Sequence, residues 1–144
     1  NERIDDSSPS MIFGIGADIV SIPRIQAMLD KRGDKIAKKI LSKTELIGFN
    51  KSVKPAAFLA KRFAAKEATA KALGTGFRDG LNLCHISVQN NELGRPGLIF
   101  EHRAEKLLSE LNVGRSFISL SDEENYAIAY VTLMEKEDDI LSDN

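Results

Sequence analysis

The sequence has no tryptophan, a single cysteine and almost no net charge. The lone thiol, Cys84, cannot close an internal disulfide, which fits a reducing cytosol. No apolar run approaches the ~20 residues of a membrane-spanning helix, so no membrane role is expected. Residues 1–10 are polar and lack the apolar stretch of a secretory signal. They read as a flexible tail or a cloning remnant, with Met11 a candidate natural start. The nine aromatics (seven Phe, two Tyr) fall mostly at core-like positions, too few for a stacking surface. A general nucleic-acid binder is therefore not expected. His85 and His102 have no metal-ligand spacing to each other or to Cys84, and read as structural or surface residues. No Ser-His-Asp order or Cys-X-X-Cys motif is present, nor any internal repeat.

What is present suits one packed domain. The 144 residues are 42% hydrophobic and 28% charged, enough for a core and too apolar for global disorder. The net charge of −1 hides a strong asymmetry. From Arg24 to Lys43, seven bases (Arg24, Lys31, Arg32, Lys35, Lys38, Lys39, Lys43) face only Asp30 and Asp34. The end of the chain is acidic, and residues 136–144 read as a flexible tail. A local basic face on a near-neutral protein suggests an acidic partner, although a solvated helix surface has the same composition.

Met11 to Val20 reads as a strand, with Met11, Phe13 and Ile15 on one face and Ile12 with Gly14 and Gly16 on the other. Ser21 and Pro23 open a helix that sets Arg24 and Met28 one turn apart. Asp34 caps a second helix, and Ser42-Lys43-Thr44-Glu45 forms a capping box for a third. The longest helical signal, Pro55 to Leu73, stops at Gly74. Strands around Ile86–Val88 and Leu98–Phe100 flank a turn. Glu101 to Leu111 reads as a helix ending near Gly114, and strands follow at Phe117–Leu120 and Tyr126–Leu133. The order predicts an α+β domain over residues 11–135, a mainly antiparallel sheet packed against a long helix.

Two features carry chemistry. Asp18 interrupts an apolar strand, where a carboxylate needs a cation or donors, unless it sits at the strand's exposed end and helps start the next helix. Glu67 and Lys71 stand four apart on the long helix, which alone describes an exposed ion pair worth about 0.3–0.5 kcal/mol. Asp18 with Glu67 also meets the need of a magnesium ion for one or two carboxylates, with phosphates and water completing its shell. Gly74-Thr75-Gly76 follows a helix C-terminus and lacks a P-loop ending. It is either a helix stop or a loop passing close to a ligand.

Three segments together resemble the short bacterial 4'-phosphopantetheinyl transferases, the holo-acyl-carrier-protein synthase family. They are Gly14-Ile15-Gly16-Ala17-Asp18-Ile19-Val20, Arg62-Phe63-Ala64-Ala65-Lys66-Glu67-Ala68 and Lys71-Ala72-Leu73-Gly74-Thr75-Gly76, joined by the Gly94-Arg95-Pro96 turn. The likeness runs from Met11 to about Glu135. It implies transfer of phosphopantetheine from coenzyme A to a serine of apo acyl carrier protein. By the same resemblance Asp18 and Glu67 are Mg2+ ligands, Glu67 takes the serine proton, and Lys71 stabilises the departing phosphate. Arg62, Lys66, Gly74, Thr75 and Gly76 line the coenzyme site, and Arg24 with Met28 docks the acidic carrier. The resemblance further implies a homotrimer with sites at subunit interfaces. One departure stands out: Ser119-Leu120-Ser121-Asp122 carries Asp122 where the family commonly has histidine. A non-catalytic carrier-binding module is the alternative that this departure favours.

Overall fold

The computed structural model describes residues 11–137. The expectations for segment 1–10, and for the acidic tail past residue 137, lie outside the described residues. Strand β1 (Ile12–Ser21) leads into helix α1 (Ile22–Arg32). There the Ser21 hydroxyl accepts the Arg24 N–H at 3.3 Å, and Pro23 occupies the first turn, as its fixed φ favours. Helix α2 (Asp34–Ile40) differs from expectation. Gly33 is its N-cap, with no side-chain bond, and Asp34 is already helical. Its charge still complements the helix N-terminus. Helix α3 (Lys43–Lys51) has the full capping box: Ser42 Oγ accepts from Glu45 N, and Glu45 Oε1 accepts from Ser42 N at 2.9 Å.

Helix α4 (Pro55–Leu73) is the axis of the molecule and stops at Gly74, left-handed at φ 79°. Its buried residues surround more than one face, because the sheet covers one side and α1 to α3 lie on the other. A short 3-10 turn at Leu83–His85 precedes the hairpin of β2 (Ile86–Asn90) and β3 (Pro96–Phe100). The side chain of Asn91 closes that hairpin by accepting the N–H groups of Leu93 and Arg95. Helix α5 (Arg103–Glu110), β4 (Val113–Asp122) and β5 (Tyr126–Glu135) follow. The main sheet has order β1-β5-β4 and is antiparallel throughout.

Two local expectations change. The helix expected from Glu101 starts at Arg103 and is ended by Asn112 at φ 61°, a residue that tolerates the left-handed region. Gly114 lies inside β4, where the register shifts between Val113 and Ser116. In β1 a shift between Ile12 and Gly14 breaks the simple alternation: Phe13 is half-buried while Met11 and Ile15 are exposed. Gly14, Gly16, Asp18 and Val20 turn toward α4.

The glycines set that spacing. A Cβ at Gly14 would lie 2.0 Å from the carbonyl oxygen of Ala72, and one at Gly16 equally close to that of Ala68. Only glycine lets strand and helix backbones approach so closely. Among the described residues nothing covers the opposite face of the sheet: Ile15, Ile19, Phe117, Tyr126, Ile128 and Tyr130 are all exposed there.

Candidate active site

The close packing of α4 on β1 carries Lys71 across to the strand. Its ammonium donates to Asp18 Oδ1 and to the Ala17 carbonyl, both at 3.0 Å. Lys71 remains 56% exposed, while Asp18 is 17% exposed and sits in the floor of the site. Glu67 is half-buried one turn earlier on α4. Burial pushes its carboxyl above the usual range, the Asp18 charge adds to that shift, and Lys71 opposes it. The structure thus joins Asp18, Glu67 and Lys71. Among the described residues Lys71 pairs with Asp18 rather than with its helix neighbour Glu67.

Two carboxylates and one ammonium leave this cluster with an excess negative charge. No third His, Cys, Asp or Glu joins the pair among the described residues. Such a set fits a hard divalent cation that draws its other ligands from phosphate and water. The loop after α4 lies one turn beyond Lys71. Gly74 donates to the Ala70 and Lys71 carbonyls, Gly76 has φ 64°, and the Thr75 hydroxyl donates to Gly76 O at 2.9 Å.

Arg62 and Lys66 fall elsewhere. Arg62 is 12% exposed, its guanidinium 3.8 Å from the centre of the Phe58 ring and its Nε 3.6 Å from Glu45 Oε2. Burial lowers its pKa, with Glu45 pulling the other way. Lys66, expected to line the coenzyme site, is fully buried. Its ammonium is spent on the Ile40 carbonyl at 2.5 Å and Glu45 Oε1 at 2.6 Å. Burial lowers the Lys66 pKa against the attraction of Glu45. A lysine so enclosed holds helices together and faces no open site.

On α1, Arg24 is exposed and Met28 is half-buried against the core, giving a charged and an apolar contact on one face. All seven bases from Arg24 to Lys43 are exposed, and among the described residues none forms an ion pair. Asp122 pairs with Lys61 at 3.4 Å, so the charge it brings is answered from α4.

The profile described as the 4'-phosphopantetheinyl transferase superfamily matches residues 14–131, which contain Asp18, Glu67, Lys71 and the glycine loop. The chain belongs to that superfamily. Among similar members, the holo-[acyl-carrier-protein] synthase of Nitrosococcus oceani is 52% identical over 124 residues, 86% of this chain and 80% of the relative. The one from Hamiltonella defensa is 50% identical, over 83% of this chain and 95% of its own. The crystal structure of the Neisseria meningitidis synthase aligns with TM-score 0.82 at 44% identity, covering 88% of this chain and all of that one. The Bacillus anthracis synthase, solved in complex with CoA (3',5'-ADP), aligns at 0.73 and 34% identity, over 88% and 99% of the two chains. These transferases share the α+β architecture read from the sequence. Glu45 is the residue that sequence reasoning placed too modestly. Its capping-box position was legible, but nothing local signals that Lys66 and Arg62 converge on it.

Proposed function

We infer that this chain is a holo-acyl-carrier-protein synthase. It transfers the 4'-phosphopantetheine of coenzyme A to a serine of apo acyl carrier protein, releasing adenosine 3',5'-bisphosphate. The observation that carries the assignment is the meeting of Asp18, Glu67 and Lys71 at the α4–β1 crossing of a superfamily member. The serine oxygen bonds to the phosphorus bearing the pantetheine arm, and the bridging oxygen departs with the bisphosphate.

The division of labour follows from the side chains. Asp18 and Glu67 hold Mg2+, which when bound offsets charge on the coenzyme diphosphate. Glu67, whose carboxyl burial holds above its usual range, takes the serine proton. Lys71 has three donors, of which two are spent on Asp18 and Ala17, leaving one for the departing phosphate. The backbone of Gly74, Thr75 and Gly76 lines the coenzyme site, whereas Arg62 turns to Glu45 and Phe58 on another face of α4. Arg24 and Met28 receive the acidic carrier, and the exposed bases speed the encounter.

The uncovered apolar face of the β1-β5-β4 sheet supports assembly as a homotrimer. Among the described residues no helix is long and apolar enough to cross a membrane, and we place the reaction in the cytosol. The Lys61–Asp122 pair weakens the case for a non-catalytic module, which rested on Asp122 alone. Intact-mass measurement of apo carrier after incubation with the protein, coenzyme A and Mg2+ tests the assignment. A phosphopantetheine adduct is expected, and unmodified carrier would leave only a binding module.

A further inference from the structure

A cleft of about 850 Å³ opens between the end of α2, the start of α3, the 3-10 turn and the start of α5. It shares no residue with the Asp18, Glu67 and Lys71 site, and its volume suits a small molecule. Its walls carry Lys38, Lys43, His85 and His102 against a single carboxylate, Glu101. Both lysines are exposed, and among the described residues neither is in an ion pair. Two ammonium groups against one carboxylate leave the lining positive even with both imidazoles neutral.

The histidines narrow the ligand further. His85 Nδ1 accepts the Asn82 N–H at 3.2 Å, so the proton of the neutral ring is carried on Nε2. Burial, then the His102 charge, favours that neutral form. A metal ion would need Nε2 bare, whereas an anion can accept from it. His102 lies beside it, with 5.5 Å between ring centres. As N-cap of α5 it holds φ 55° and ψ −129°, a conformation that a residue with a Cβ keeps only under constraint, and its side chain makes no capping bond. Its imidazole is therefore left for the cleft. Lys38, Lys43 and His85 approach from three different elements. That spread suits the three oxygens of a phosphate group. A planar carboxylate is better matched by a guanidinium fork, and none of the lining residues is an arginine.

We propose that this cleft is a second anion site, in which Lys38, Lys43 and the His85 Nε2–H bind the phosphate group of a small soluble phosphate ester. The site lies outside the transfer chemistry and does not depend on the coenzyme reading. Ser42 and Thr44 add hydroxyls to the same walls, and Leu41 and Leu46 give it an apolar side for the rest of such a ligand.

The two histidines of the sequence both line this cleft, so their imidazole proton resonances report on it directly. The full chain is titrated with pyrophosphate at constant pH and ionic strength, without Mg2+. Both resonances should move and reach saturation. Lys38→Met/Lys43→Met changes exposed positions only, and it should weaken saturation at least ~tenfold, as expected on losing charge-assisted hydrogen bonds. A drift that never saturates and is matched by sodium chloride would overturn the proposal. So would saturation at unchanged affinity in the lysine variant. Apo acyl carrier protein and phosphatidylcholine vesicles containing phosphatidic acid present acidic protein and lipid phosphate to the same cleft. If either moves the histidine resonances while pyrophosphate does not, the cleft belongs to that partner and the proposal fails.

Discussion

Asp18→Ala and Glu67→Ala are each expected to abolish transfer, with Glu67→Ala losing at least the ~10²–10⁴-fold of a general base. Both should keep wild-type circular dichroism, since neither side chain belongs to the core. Near-normal rates in either variant would refute the shared-metal assignment. A second residue-scale expectation concerns His85. Burial, then the His102 ring at 5.5 Å, holds its imidazole below the usual pKa. Its Nδ1 accepts the Asn82 N–H at 3.2 Å, a bond that only an unprotonated Nδ1 can accept. The unfolded chain therefore binds the proton more readily. Stability from neutral His85 is complete above about pH 6.5 and is lost as pH falls through the lower folded-state pKa. Lys38, Lys43 and Glu101 share its cleft of about 850 Å³. His85→Asn keeps an acceptor without a proton to gain, so its urea midpoint should vary less with pH below 6.5 than that of the wild type. At this scale, legibility was uneven. Asp18 and Glu67 looked ordinary until motif order joined them, because their meeting depends on a helix crossing that spacing alone does not encode. Lys66 read as a site lysine because a sequence carries no record of which way a helix face turns.

Elements were more legible where a local rule decides them. The Ser42–Glu45 box, Ser21 with Pro23, and Gly74 each act within a few residues, and each is found where it was expected. The register shifts in β1 and β4 were not legible, since a bulge is settled by pairing with β5 more than a hundred positions away for β1. Gly14 and Gly16 lie between these cases. Their small size hinted at close approach, but the partner, α4, emerged only from the fold. Gly16→Ala puts a methyl within 2.0 Å of a helix carbonyl. It should cost about 1–3 kcal/mol in urea unfolding, and activity should fall with it because α4 shifts relative to Asp18. An unchanged unfolding midpoint would show that the strand and helix can part without penalty.

For the whole molecule, the uncovered sheet face decides behaviour. β5 alternates cleanly, with Ala127, Ala129, Val131 and Leu133 buried and Tyr126, Ile128 and Tyr130 outward. The strands were legible from that pattern, but an alternation of two apolar sets leaves open which side is covered by the same chain. Ile19 stands directly across from Ile128 in the β1–β5 pairing. Ile19→Asp should reduce assembly to a single chain by sedimentation analysis, and transfer should fall with it if the coenzyme site is completed by a neighbour. A single-chain wild type would remove the trimer from the account. The two outward tyrosines have a further use. The chain has no tryptophan, and Tyr126 and Tyr130 are its only tyrosines. Both project from the face proposed to join the subunits. The intrinsic ultraviolet emission of this protein therefore originates almost entirely at that face, and a simple dilution series in a fluorimeter would read association without any label.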